Sequence, residues 1–308
     1  MAQERTRVVI IGGGIMGGDI ATVYAANGWN VHVMSPSART RDALPARIAA
    51  GLSKLGADAA RAKNVTTHAA LKEIDWSEVG MVVEAATEDL ALKQKLFAEV
   101  EALAGADVPI MSNTSNFPIG EIGRHLKHRG RVLGLHFFMP AHLVPLVEVV
   151  SSDATDPKIA QNVVALMKEL GKAPIWVKKD VPGFVGNRIQ HAMLREALYL
   201  IDEGICDAEA VDTAVRFGFG FRFIACGPLL QKEMSGWDTN YLVGTALYPH
   251  LYNNDRPPKF LKDMVERNRL GMKTKRGMWE WTDEAIAKEK AAIERRLQAG
   301  MAILKDDK

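Results

Sequence analysis

The feature that most constrains this chain is the stretch Val8-Val9-Ile10-Ile11-Gly12-Gly13-Gly14-Ile15-Met16-Gly17-Gly18. Its β-branched run suits a buried parallel strand and its glycines a turn. The following Asp19-Ile20-Ala21-Thr22-Val23-Tyr24-Ala25-Ala26 has helical periodicity. The glycines differ in what they allow. Gly12 permits the tight turn, Gly14 lets a pyrophosphate approach the backbone, and Gly17 lets helix pack on strand. The phosphates then meet the unpaired N–H groups of the helix N-terminus. Such a pattern is weak alone, but Gly28 stops the helix and Asn30-Val31-His32-Val33-Met34 supplies the second strand that the motif requires. Gly12, Gly14, Ile15, Met16 and Gly17 are the expected cofactor-binding residues.

The second strand ends at Ser35, where an NAD-preferring unit usually carries Asp or Glu for the adenosine ribose hydroxyls. Ser35-Pro36-Ser37-Ala38-Arg39-Thr40-Arg41 instead offers hydroxyls and two guanidinium groups, whose fork suits a 2′-phosphate. Ser35 and Arg39 therefore favour NADP over NAD, unless the arginines only solubilise the first turn of a helix.

Further along, βα alternation continues. Residues 42–63 suggest a helical arm interrupted by Gly51 and Gly56. Strands are expected at 65–67, 79–86, 109–112, 131–138, 146–150 and 173–177, with helices at 88–103 and 156–170. From Val185 onward no strand is readable, and 283–308 suggests a charged helix with a sparse apolar seam. The expected fold is α/β: a Rossmann-type doubly wound sheet over 1–180, then an all-α domain over 181–308. A chain of 308 residues is long enough for both.

With 39 basic and 37 acidic residues and no basic tract, the chain has neither a nucleic-acid footprint nor the charge for an anionic membrane. The N-terminus has no apolar run of signal-peptide kind and no segment is long enough to cross a bilayer, so the cytoplasm is expected. The two cysteines, Cys206 and Cys226, lack metal-site spacing and are expected as small core residues, and no metal is expected.

Two ionisable residues interrupt apolar strands: His136 in Gly-Leu-His-Phe-Phe and Glu148 in Leu-Val-Glu-Val-Val. Such residues cost several kcal/mol unless paired, so neighbouring strands would bring them together. A carboxylate accepting one imidazole N–H fixes the tautomer and makes the other nitrogen a general base. A purely structural pair is the alternative.

At this point the residues resemble the L-3-hydroxyacyl-CoA dehydrogenases over nearly the full length. The shared motifs are the glycine turn, Val83-Glu84-Ala85 with Glu88 and Lys93, Ser112-Asn113-Thr114-Ser115, His136-Phe137-Phe138, Leu146-Val147-Glu148, Pro182-Gly183-Phe184 with Asn187-Arg188, Gly227-Pro228, and Lys273-Thr274 before Gly277. The resemblance implies that His136 takes the proton of a substrate 3-hydroxyl as hydride passes to nicotinamide, and that Glu148 orients it. By the same resemblance, Ser115 and Asn187 position substrate and nicotinamide, Glu88, Lys93 and Lys273 contact the cofactor, and the helical domain forms a homodimer. Bland alternatives are turn or helix-start roles for Ser115 and Asn187 and ordinary surface charges for the lysines.

Departures bear on cofactor and substrate. Met139 replaces the Asn expected after His-Phe-Phe, and the arm between Ser35 and Val65 is shorter than in acyl-CoA enzymes, where a helical hairpin helps cover CoA. Pro140-Ala141-His142-Leu143-Val144-Pro145 is more similar to members acting on small free acids or alcohols, such as carnitine and gulonate dehydrogenases. The substrate is therefore a 3-hydroxy acid or its CoA ester. Rival readings are an aromatic alcohol or aldehyde dehydrogenase and a crystallin-like protein that binds dinucleotide without catalysis. His142 is either a substrate group or a surface loop residue.

Overall fold

The computed structural model describes residues 6–304. The readings made on residues 1–5 and on the end of the terminal helix at 305–308 lie outside the described residues. The chain divides into two compact units, residues 1–188 and 189–308.

The first unit is built on an eight-stranded sheet: β1 (Arg7–Ile11), β2 (Asn30–Met34), β3 (Val65–His68), β4 (Val79–Glu84), β5 (Ile110–Ser112), β6 (Val132–Phe137), β7 (Leu146–Ser151) and β8 (Ala173–Val177). The spatial order is β3-β2-β1-β4-β5-β6-β7-β8, and every neighbouring pair is parallel except β6 with β7. The helices are α1 (Ile15–Ala26), α2 (Ala38–Lys54), α3 (Leu90–Leu103), the single turn α4 (Ile119–Ile122), α5 (Pro157–Glu169) and α6 (Gly186–Asp202), which continues into the second unit.

Because successive strand residues point to opposite faces, the continuous apolar strands feed two cores. Val8, Ile10, Val31, Val33 and Val83 pack with α1, α2 and α5 through Ile20, Tyr24, Leu44, Ile48 and Val163. Val9, Ile11, Val82 and Ile110 pack on the other face with Phe97 and Val100 of α3 and Ile119 of α4. This is the doubly wound arrangement that puts the C-terminal ends of β1, β4, β5 and β6 along one edge.

The helical arm differs from expectation. α2 runs through Gly51 without a break, because the glycine lets α2 approach α1: a Cβ there would stand 2.9 Å from Thr22 Cγ2. The chain turns only at Gly56, in the left-handed region at φ +68°. A 3-10 turn over Ala59–Asn64 then leads directly into β3. Leu44, Ile48 and Leu52 anchor the whole arm against the sheet unit.

The second unit is helical, with isolated bridges Gly271–Arg276 and Arg276–Glu280 its sole extended pairing among the described residues. Its buried described residues are Gly244, Pro258, Gly277 and Ala292. Cys206 and Cys226 are half-buried rather than core, because the helices around them enclose little. No helix among the described residues is long and apolar enough to cross a membrane.

Candidate active site

The glycine turn is shaped by close approach. Gly12 sits at φ +106°, its N–H donates to Met34 O at 2.8 Å, and a Cβ on it would stand 2.5 Å from Ala85 O. A Cβ on Gly17 would stand 1.7 Å from Gly12 O, so helix α1 can start here only with glycine. Around Gly14, by contrast, no protein atom lies within 4 Å of a built Cβ, and the first turn of α1 has no capping side chain. Ile15 is exposed and Met16 half-buried beside it. Open backbone at Gly14 and uncapped first-turn amides fit the pyrophosphate of a dinucleotide. Sequence reasoning missed Arg47 of α2, whose Nη2 donates to Gly14 O at 2.5 Å and lies across Gly18.

At the ribose end, Ser35 is buried and its N–H donates to His68 O at 2.9 Å. Ser37 caps α2, accepting from Thr40 N at 3.3 Å. The two arginines part company: Arg39 is exposed, whereas Arg41 Nη1 donates to the Ser35 and Pro36 carbonyls at 2.7 and 3.0 Å.

Antiparallel pairing of β6 with β7 sets His136 directly opposite Glu148. His136 Nδ1 lies 2.7 Å from Glu148 Oε2, with 3% of His136 and none of Glu148 exposed. Glu148 Oε1 accepts from the Val185 and Gly186 N–H groups at 2.9 and 2.8 Å. Burial pushes the Glu148 carboxyl up, but the hydrogen bonds from His136, Gly186 and Val185 outweigh it and hold the group below the ordinary carboxylate range. An ionised carboxylate only accepts, so Nδ1 carries a proton, and in the neutral imidazole Nε2 is the acceptor. That Nε2 lies 3.1 Å from Ser115 Oγ, on an exposed loop residue just beyond β5. Phe138 and Phe184 flank the imidazole at ring-centroid distances of 4.7 and 5.6 Å. Asn187, half-buried, follows Gly186 in the first turn of α6.

Lys93 is no surface charge: it is 1% exposed, with Nζ 2.9 Å from both oxygens of Glu84 and 3.2 Å from Glu88 Oε2. Glu88 also accepts from Thr114 Oγ1. Glu84, which in the sequence is only part of a shared motif and has no role assigned there, ends the apolar strand β4. Lys273 stands exposed in the 271–277 turn of the second unit. Met139 is 67% exposed. His142 is not a surface residue but 9% exposed, with Nδ1 3.4 Å from Asp19 Oδ2 of α1, a carboxylate that also accepts from Ala141 N. Among the described residues no cluster of His, Cys, Asp and Glu could hold a metal ion.

Comparison with known proteins agrees with this architecture. Residues 7–181 match the family described as 3-hydroxyacyl-CoA dehydrogenase, NAD binding domain, and residues 183–281 match its C-terminal domain. The chain is 32% identical over 228 residues to 5-formyl-3-hydroxy-2-methylpyridine 4-carboxylate 5-dehydrogenase of Mesorhizobium japonicum, covering 74% of each chain. A solved 5-formyl-3-hydroxy-2-methylpyridine 4-carboxylic acid 5-dehydrogenase, described as an NAD+ dependent dismutase, superposes with a TM-score of 0.90 at 30% identity, over 97% of this chain and 98% of that one. The (S)-3-hydroxybutyryl-CoA dehydrogenase of Ralstonia eutropha superposes with a TM-score of 0.74 at 32% identity, over 91% of this chain and all of the other. With both domain models matched in order across most of its length, this chain belongs to the 3-hydroxyacyl-CoA dehydrogenase family, a family of oxidoreductases.

Proposed function

We propose that this protein is an NAD-dependent dehydrogenase that reversibly oxidises a 3-hydroxy group to a ketone, with His136 as its general base. The observation that carries this is the imidazole bridging Glu148 at 2.7 Å and Ser115 at 3.1 Å. Gly12, Gly14, Ile15, Met16 and Gly17 hold the cofactor's phosphates, and Glu88 takes its ribose hydroxyls. Bound NAD supplies the acceptor for the hydride leaving the carbinol carbon. His136 Nε2 takes the hydroxyl proton, and Glu148, a positioning residue, stabilises the imidazolium through Nδ1. Ser115 Oγ, free to rotate on its exposed loop, holds the substrate oxygen at Nε2. Asn187 positions the reacting ends beside it. In the reverse direction His136 returns the proton.

On the cofactor, the case for NADP rests on Ser35 and Arg39 alone, since Arg41 is committed to backbone carbonyls. The solved relative with the TM-score of 0.90 is described as NAD+ dependent. We take NAD as the cofactor.

A second reading concerns the substrate. α2 folds back on α1 and passes straight to β3, so residues 38–64 form no projecting hairpin to cover a CoA moiety. Together with the closer likeness to a pyridine-carboxylate enzyme than to a 3-hydroxybutyryl-CoA enzyme, this favours a small free hydroxy acid or ring alcohol over a CoA ester. We also propose a homodimer through the second unit, where Phe217, Met234, Tyr241 and Tyr248 are 72–80% exposed on helices that bury almost nothing themselves.

The test is thermal stabilisation by NAD, NADH, NADP and NADPH in turn, followed by NADH formation from free 3-hydroxy acids, ring alcohols and 3-hydroxyacyl-CoA esters. The reading expects a shift with NADH and turnover of at least one hydroxy substrate that His136→Gln abolishes. A nucleotide shift with turnover of no hydroxy substrate would favour a non-catalytic dinucleotide binder, and no shift with any nucleotide would overturn the cofactor reading.

A further inference from the structure

We propose that Glu84 is a positioning residue for cofactor binding: it holds the Lys93 ammonium so that Glu88 keeps a carboxylate free to accept from a ligand's hydroxyl groups. The inference rests on the reading of Glu88 as a cofactor contact and concerns how that contact is kept available.

Glu84 is the last residue of β4 and is fully buried. Four hydrogen bonds converge on it: Lys93 Nζ donates to both oxygens at 2.9 Å, Ser112 Oγ to Oε2 at 2.6 Å, and Ala86 N to Oε1 at 2.6 Å. Every partner is a donor, and each is fixed by the fold. Ser112 is the register partner of Glu84 on β5, Ala86 lies in the segment pressed against Gly12, and Lys93 is in the first turn of α3. Glu88, with a side chain 40% exposed, meets the same Lys93 Nζ at 3.2 Å and accepts from Thr114 Oγ1.

Two carboxylates thus compete for one ammonium. An ion pair is stronger where water is excluded, and a buried carboxylate stripped of its partner is costly, so Lys93 stays with Glu84. The uncompensated negative charge falls on Glu88, the member that solvent and ligand can reach. It stands four residues past Glu84, on the loop that leaves the C-terminal end of β4 beside the glycine turn. Each Glu88 oxygen has one partner, Thr114 Oγ1 or Lys93 Nζ, and keeps a second lone pair, which suits a vicinal diol with its two O–H donors. If Lys93 were released it would pair fully with Glu88 and cover that acceptor. The chemistry at His136 makes no use of Glu84, and its four-donor environment has no counterpart in a merely space-filling residue.

The experiment is fluorescence titration of NADH on the full chain, with melting temperature recorded for each variant. Glu84→Gln should raise the NADH Kd by about tenfold, the scale of one charge-assisted hydrogen bond. In a Lys93→Met background, where no ammonium remains to be released, adding Glu84→Gln should change Kd by less than about twofold. Equal effects in both backgrounds, or no effect of Glu84→Gln alone, overturn the proposal. If Glu84→Gln does not fold, Glu84→Asp, which keeps the charge but draws it back from the Lys93 ammonium, should raise Kd about threefold, and an unchanged Kd is then the contrary result. Glu88→Gln separates the two readings: a Kd within about twofold of the parent overturns Glu88 as a cofactor contact, while a large rise with no Glu84–Lys93 coupling overturns only the role of Glu84.

Discussion

The two units of this chain solve the burial problem differently. In residues 1–188 the strands Val8 to Ile11 and Val82 to Val83 are sealed on both faces by the chain's own helices. In residues 189–308 the helices are as apolar along one side, yet Phe217, Leu229, Leu230, Met234, Tyr241 and Leu242 are all at least 60% exposed. A sheet with crossover helices closes its core locally, whereas a set of single helices must find an opposing layer. The sheet unit closes its own cores, and the helical unit leaves its apolar sides largely exposed.

The sharpest test of the first half of that contrast is catalytic. His136→Gln should cut kcat by about 10²–10⁴-fold while leaving the melting temperature and NADH affinity near those of the parent. Loss of stability comparable to the loss of rate would mean that the pair with Glu148 is structural. Next come two leucines of the same size. Leu44→Ala, in a fully buried position, should cost about 2–5 kcal/mol in denaturant unfolding. Leu230→Ala, 60% exposed, should cost under about 0.5 kcal/mol at high dilution, with a larger cost at high protein concentration if a second copy covers it. Equal costs at every concentration would erase the contrast between the units. Met234→Lys with Tyr241→Lys should shift the protein to monomer in sedimentation while the sheet unit still binds NADH.

The smallest effect is a dependence on acidity confined to the sheet unit. His32 and His68 share a contact of 2.9 Å between Nδ1 and Nε2 on neighbouring strands. For both, burial is the leading cause of a lowered pKa. His68, Arg7 and Asp75 also act on His32, the first two lowering and Asp75 raising it, and Glu73 raises His68. Folded-state values below the ordinary imidazole value mean that the folded protein binds fewer protons. Their contribution is then complete above about pH 6.5 and is lost as pH falls through the lowered values. His68→Gln should flatten the stability profile below about pH 6.5, and an unchanged slope there would remove the pair as its source.

Much of this architecture is legible in the sequence because its signals are local. Alternating strand and helix patterns mark every element of the sheet, and His136 stands out as an ionisable residue inside an apolar strand. Glu84 carries the same signal, but its meaning depends on Lys93 and Ser112, brought in by another helix and strand. Gly51 reads as a helix breaker because sequence periodicity cannot show that Thr22 needs the missing side chain. For Lys93 the sequence offers a cofactor contact or an ordinary surface charge, and only the converging carboxylates, which sequence cannot place, explain its burial. The amphipathic helices of the second unit are readable too, but no single chain states what lies against them.

The one antiparallel pairing of the sheet has a further consequence, in folding kinetics. Parallel neighbours need a long crossover, so pairs such as β1 with β4 join residues far apart in sequence. His136 and Glu148, on the antiparallel pair, are 12 residues apart and meet within a single hairpin. Loop closure over so short a span is fast and loses little chain entropy, so the 132–151 hairpin can form before the long-range pairings are complete. Pulsed hydrogen exchange during refolding should then protect the amides of β6 and β7 no later than those of β1, and later protection would show that the His136–Glu148 pair is assembled by the sheet rather than by its own turn.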